Sequence, residues 1–132
     1  MELLEIKKIL YDVREKMESE YGTGTDLCGA CIEASDLIVE RLQEKGINSA
    51  HYVEGWCLYD DGSWCSDVPY DPHTWVEFVY DGAKYYADVT ADQFNYGMSE
   101  KNKFAPVILC VGLPHGMQVE EPIDDCEEDE YD

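Results

Sequence analysis

The chain has 132 residues, 45% hydrophobic and 12% aromatic, with 30 acidic and 9 basic residues and a formal charge of −21. That length suits one domain with its own core. The charge excludes nucleic-acid and anionic-membrane binding as a main role, since both need clustered Lys and Arg. No apolar run approaches the ~20 residues that span a bilayer. The segment Met1 to Lys8 alternates acidic, apolar and basic residues without a signal-peptide h-region. The expected location is therefore cytoplasmic, or the protein is delivered as an effector without a classical signal peptide.

The first element is an amphipathic helix over about residues 2–20. Leu3, Ile6, Leu10, Val13 and Met17 recur every three or four positions. This helix reads as packing, with no chemistry on it. Tyr21-Gly22-Thr23-Gly24 ends it in a loop. A second helix is expected from about residue 30 to 45, with Ile32, Leu37, Ile38, Arg41 and Leu42 in period and Gly46 at the C′ position. Residues 47–56 read as a strand, and 57–72 as a loop or short hairpin turning at Asp60-Asp61-Gly62-Ser63.

Next come two strands, 74–80 and 83–89, joined by Asp81-Gly82, the strongest short-range hairpin signal. A further apolar strand, 106–111, stops at Gly112-Leu113-Pro114. Helices followed by antiparallel strands define an α+β fold, with the N-terminal helices packed on the sheet. The domain is expected to occupy residues 1–117, leaving 118–132 as an acidic, disordered tail. From Glu120 to Asp132 there are nine acids and no base, which leaves −12 on the body. An acidic body fits a protein or peptide partner or substrate that is itself basic.

Cys31, His73 and Asp88 occur in an order and in settings that suit nucleophilic catalysis. Cys31 falls in the predicted first turn of the second helix, where unpaired N–H groups lower a thiol pKa and can hold an oxyanion. A two-residue loop at Asp81-Gly82 pairs Tyr80 with Ala83, so paired numbers sum to 163. Trp75 then lies opposite Asp88, and His73 and Asp88 become diagonal neighbours on one face, about 7 Å apart at Cβ. A one-residue bulge would separate them. Trp75, Glu77 and Tyr86 share the His73 face. Thr74, Val76, Phe78, Tyr85 and Val89 form the more apolar core face, so the His73 face is expected to leave a cleft.

Four segments carry a family resemblance: Gly29-Ala30-Cys31-Ile32-Glu33, Lys45-Gly46-Ile47-Asn48-Ser49-Ala50, His73-Thr74-Trp75-Val76-Glu77 and Asp88-Val89-Thr90. Together they resemble the transglutaminase-like branch of the papain-like cysteine enzymes. The run Asp88 to Phe94 is also similar to the third motif of papain-fold domains of bacterial and phage effectors. The resemblance spans residues 25–94 and implies a papain-like core with a Cys-His-Asp triad. It implies that Cys31 is the nucleophile, His73 the base and then acid, and Asp88 the residue that orients His73. No cofactor and no metal are implied. The implied activity is acyl transfer from amides through a thioester: glutamine deamidation, transglutamination, or peptide hydrolysis. No Gln precedes Cys31 as an oxyanion donor, so Trp56 and Trp75 are candidate oxyanion or cleft residues beside the Cys31 N–H.

Other readings remain at this stage. The fold could serve as an inactive, acidic protein-binding module. Cys28, Cys31, Cys57 and Cys65 could hold a structural zinc, although the second pair is wider than a usual zinc knuckle. Cys28-x-x-Cys31 has redox-motif spacing but lacks a βαβ setting. Asp92 could replace Asp88 in orienting His73. His51 and His115 read as ordinary.

Overall fold

A computed structural model describes residues 2–27, 29–57, 72–95 and 98–119. Two helices, α1 (Leu3–Tyr21) and α2 (Cys31–Glu44), precede five strands. The strands are β1 (His51–Cys57), β2 (His73–Tyr80), β3 (Ala83–Asp88), β4 (Ile108–Val111) and β5 (Met117–Gln118). All paired neighbours are antiparallel, in the order β4-β3-β2-β1-β5. The architecture is α+β, with both helices on one face of the sheet.

α1 starts in a capping box, in which Glu2 receives the Glu5 backbone and Glu5 accepts from the Glu2 N–H. Its buried stripe is Ile6, Leu10, Val13 and Met17, joined unexpectedly by Arg14. α2 buries Ala34, Ile38 and Leu42. Ile32, expected in that stripe, is 64% exposed. Two residues before Ala34 it lies on nearly the opposite side of the helix. These helical stripes close a core with Val76, Phe78, Ala87 and Val89 from the sheet. The predicted core face of the hairpin is the face that meets the helices.

The hairpin register is as the Asp-Gly loop demands. Tyr80 pairs with Ala83, and the ladder continues through Phe78–Tyr85 to Val76–Ala87. Asp81 and Gly82 take φ of 52° and 79°, the left-handed pair that lets a two-residue turn follow the strand twist. β1 begins at His51 rather than at 47, because Ile47 and Ala50 are spent on closing turns after α2 (Ile47 N–H to Leu42, Ala50 N–H to Ile47). β4 likewise starts at Ile108 rather than 106. β5 was not legible in the sequence; its two residues pair with Trp56 and Cys57, and Gln118 carries the paired chain one position past the boundary read at 117.

The opposite face of the sheet is not a bare cleft wall, contrary to expectation. Cys57, Trp75, Tyr86, Ala91, Met98, Phe104 and Met117 form a second buried cluster there. Ala91, Phe94, Met98 and Phe104 pack around Trp75 and roof this face. Gly55 makes the packing possible: a Cβ on it would clash with the Gln118 carbonyl oxygen and the Trp75 ring. Among the described residues no helix is long and apolar enough to cross a membrane.

Candidate active site

β2 carries His73 to the edge of the β2–β3 ladder, whose pairing stops at Val76–Ala87. Beyond that point the Thr74 backbone is free to serve α2 instead of β3. The Ser35 hydroxyl donates to the Thr74 carbonyl at 3.3 Å, and the Thr74 N–H donates to the Cys31 sulfur. Ser35 is one helical turn after Cys31, so this tether fixes the start of α2 over His73. Cys31 is the first residue of α2, following Ala30, which offers no side-chain cap. The first-turn N–H groups beside the sulfur therefore keep their donor capacity.

His73 and Asp88 are 2% and 3% exposed, while Cys31 is half-buried and open to reagents. The His73 Nε2 lies 2.6 Å from Asp88 Oδ2. The Cys31 thiol is the other group that acts on the ring, and with Nε2 committed to Asp88 the nitrogen left for it is Nδ1. Asp88 Oδ1 accepts the Thr90 N–H at 2.8 Å and the Thr90 hydroxyl at 3.4 Å. Each Asp88 oxygen thus has its own partner. The carboxylate cannot rotate away from the imidazole without giving up the Thr90 N–H.

The imidazole is also wedged by rings. Trp75 lies 5.8 Å from it and Phe94, in the 3-10 turn Ala91–Phe94, meets it edge-on at 5.1 Å. Burial in this setting disfavours an imidazolium, but the Asp88 charge and hydrogen bond, followed by the Cys31 contact, outweigh it and raise the His73 pKa to about 10. Burial likewise pushes the Cys31 thiol up. The hydrogen bond and charge of His73, with the Thr74 N–H, overcome that, and its pKa falls below the ordinary value. The electrostatics therefore favour a thiolate–imidazolium pair steadied by a carboxylate.

The structure brings Cys31, His73 and Asp88 together, with His73 in direct contact with Asp88 at 2.6 Å and the Cys31 thiol within the electrostatic reach of the ring. Trp75 differs from its expected place: at 0% exposure it packs beside His73 from within and is not a wall open to substrate. Trp56 is buried on the α2 side of β1, at the Cys31 end of that helix. Asp92 does not replace Asp88. Both its oxygens bind Arg14, at 2.6 and 2.9 Å. His51 pairs with Glu77 at 3.1 Å on an exposed part of the sheet, and His115 is exposed on a turn. Cys31, Cys57 and Cys110 are thiols. Cys28 and Cys65, needed for the zinc and redox readings, lie outside the described residues, as do the loop 58–71 and the acidic segment 120–132. Among the described residues no cluster of three or more His, Cys, Asp or Glu is placed to hold a metal.

Sequence reasoning missed three contributors: Ser35, Thr90 and Arg14. Ser35 and Thr90 stand four and two residues from Cys31 and Asp88, spacings at which a hydroxyl reaches the same helix face or its neighbour's carboxylate. Arg14 had only one signal, a cation inside an otherwise apolar helical stripe. Comparison with family models, characterised proteins and solved structures finds no match to this chain.

Proposed function

We propose that this protein is a cysteine-dependent acyl-transfer enzyme with a papain-like, transglutaminase-like core, acting on amide bonds through a thioester on Cys31. The observation that carries the reading is the half-buried Cys31 beside the buried His73–Asp88 pair, whose contact is 2.6 Å.

The Cys31 thiolate attacks the amide carbonyl carbon, and the electron pair of the C=O moves to oxygen. The resulting oxyanion lies at the start of α2, within reach of the Cys31 N–H and the positive end of the helix. As the tetrahedral intermediate collapses, the His73 imidazolium gives its Nδ1 proton to the departing nitrogen, and an amine or ammonia leaves. The thioester remains on Cys31. Neutral His73 then takes a proton from the acceptor, water or a primary amine, which attacks the same carbonyl. Collapse of the second intermediate releases the product and returns the sulfur as thiolate beside an imidazolium. Asp88 keeps Nε2 protonated throughout, so that only Nδ1 exchanges protons with the reacting atoms.

The test uses a glutamine-rich substrate protein incubated with the full chain, with and without a primary amine. Mass spectrometry then distinguishes the roughly one-dalton gain of amide hydrolysis from amine incorporation and from chain cleavage, the three fates of one thioester. Cys31→Ala abolishes whichever product forms. Product of undiminished yield from that variant refutes the proposal.

A further inference from the structure

We propose that Arg14 is a positioning residue for the catalytic pair, clamping through Asp92 and the Val89 carbonyl the turn that holds Asp88 against His73. This inference rests on the reading of Cys31, His73 and Asp88 as catalytic.

Arg14 is 6% exposed and sits in the middle of α1, an element that supplies none of the three catalytic residues. Its guanidinium is nevertheless committed on every side. Nε donates to Glu18 at 2.8 Å within the helix. Nη1 donates to the Val89 carbonyl at 2.9 Å, to Asp92 Oδ1 at 2.6 Å and to the Pro106 carbonyl at 3.3 Å; Nη2 donates to Asp92 Oδ2 at 2.9 Å. A bidentate pair of this kind fixes orientation as well as distance.

The positions it grips matter more than their number. Val89 and Asp92 flank Thr90, whose N–H and hydroxyl hold Asp88 Oδ1. The Thr90 carbonyl is in turn held by Gln93 Nε2 at 2.9 Å. Phe94, two residues past Asp92, supplies the ring against His73. Pro106 precedes β4, whose Ile108 pairs with Asp88 itself. One guanidinium therefore anchors the chain just after Asp88, the 3-10 turn that follows, and the strand returning beside it. An apolar core would need no such group, and a buried charge is a costly way to obtain stability alone. What the fork supplies is the setting of a turn that has no ladder of its own.

The experiment compares wild type, Arg14→Lys and Asp92→Asn as full chains. Lysine keeps the charge but cannot span Val89 and both Asp92 oxygens; asparagine keeps the shape of Asp92 but offers one acceptor. Two readouts are taken on folded protein: the iodoacetamide rate at Cys31 against pH, and the ¹⁵N shifts of the His73 ring. We expect both variants to lose about tenfold in Cys31 reactivity at pH 7, the scale on which small misplacements in a preorganised site are felt, with the His73 nitrogens moving toward a neutral ring. Folded variants that keep wild-type shifts and rates overturn the inference and leave the catalytic reading standing. A variant that fails to fold at all assigns Arg14 to the fold and overturns it too. Wild-type Cys31 that reacts as an ordinary thiol defeats the catalytic reading first, and this inference with it.

Discussion

Replacing Asp88 by Asn separates the charge of this residue from its shape. In the native site Asp88 Oδ1 accepts from the Thr90 N–H and Oδ2 faces His73 Nε2. An asparagine that keeps its oxygen on Thr90 must turn its NH₂ toward Nε2. That nitrogen then has to accept, which places the ring proton on Nδ1, the atom facing the thiol. A neutral ring already protonated at Nδ1 can neither take the thiol proton nor balance a thiolate. The structure sets the size of the effect. His73 is raised from 6.5 to about 10 against the pull of burial; without the carboxylate the largest cause that raises it is gone, burial favours the neutral ring, and the charged fraction at pH 7 falls. A thiol at its ordinary value of 9.0 is ionised in about one molecule in a hundred at that pH. We therefore expect Asp88→Asn to slow Cys31 alkylation at pH 7 by between about tenfold and a hundredfold, with a midpoint moved toward that of a free thiol. The assay is iodoacetamide labelling across pH 5–10, located by peptide mass spectrometry, with circular dichroism to show the fold intact. A folded variant whose profile superimposes on wild type refutes the assignment of Asp88.

Other consequences are equally direct. Ser35→Ala removes the tether from α2 to the Thr74 carbonyl; about 1 kcal/mol of stability should be lost, with slower Cys31 labelling, and equal labelling at lower stability would show that the tether does not place the thiol. Gly55→Ala forces a methyl into the Gln118 carbonyl and the Trp75 ring, and should cost about 1–3 kcal/mol in urea unfolding; a neutral result would mean that β5 does not lie where the structure has it. Stability should also depend on pH with opposed signs. His73, raised above its unfolded value, contributes stability that is full below about 6.5 and lost as pH rises through about 10. Cys31, lowered below 9.0, contributes stability that is present above that value and lost as pH falls through its folded pKa. The two slopes cancel from the higher of 6.5 and the folded Cys31 pKa up to 9, so wild type should hold level over that window and decline above it, whereas Cys31→Ala should decline from about pH 6.5 through 9 without a level stretch. Parallel curves for the two proteins would remove the thiolate–imidazolium pair.

Much of the scaffold is local and therefore readable along the chain. The stripe Ile6, Leu10, Val13 and Met17 repeats with helical period and names the face α1 buries; in α2 the period found Ile38 and Leu42 but included Ile32, which is exposed, and left out Ala34. Asp81-Gly82 admits one kind of tight turn, and through it the register of β2 on β3. That register alone makes His73 and Asp88 neighbours. Their meeting is a property of one hairpin, with the two residues only 15 positions apart, which is why sequence order was enough.

Tertiary structure decided what depends on residues far apart. No local pattern reveals that Ala91, Phe94, Met98 and Phe104 would pack on Trp75 and bury the face expected to stay open. β5 has two residues, too few for any period, and exists only because Gly55 clears space for it beside β1. Arg14 and Asp92, 78 positions apart, show the limit most clearly. A helix pattern records that a charge lies within an apolar stripe, but the bonds that make its burial tolerable come from a turn whose place is set only when both helices and the sheet have packed.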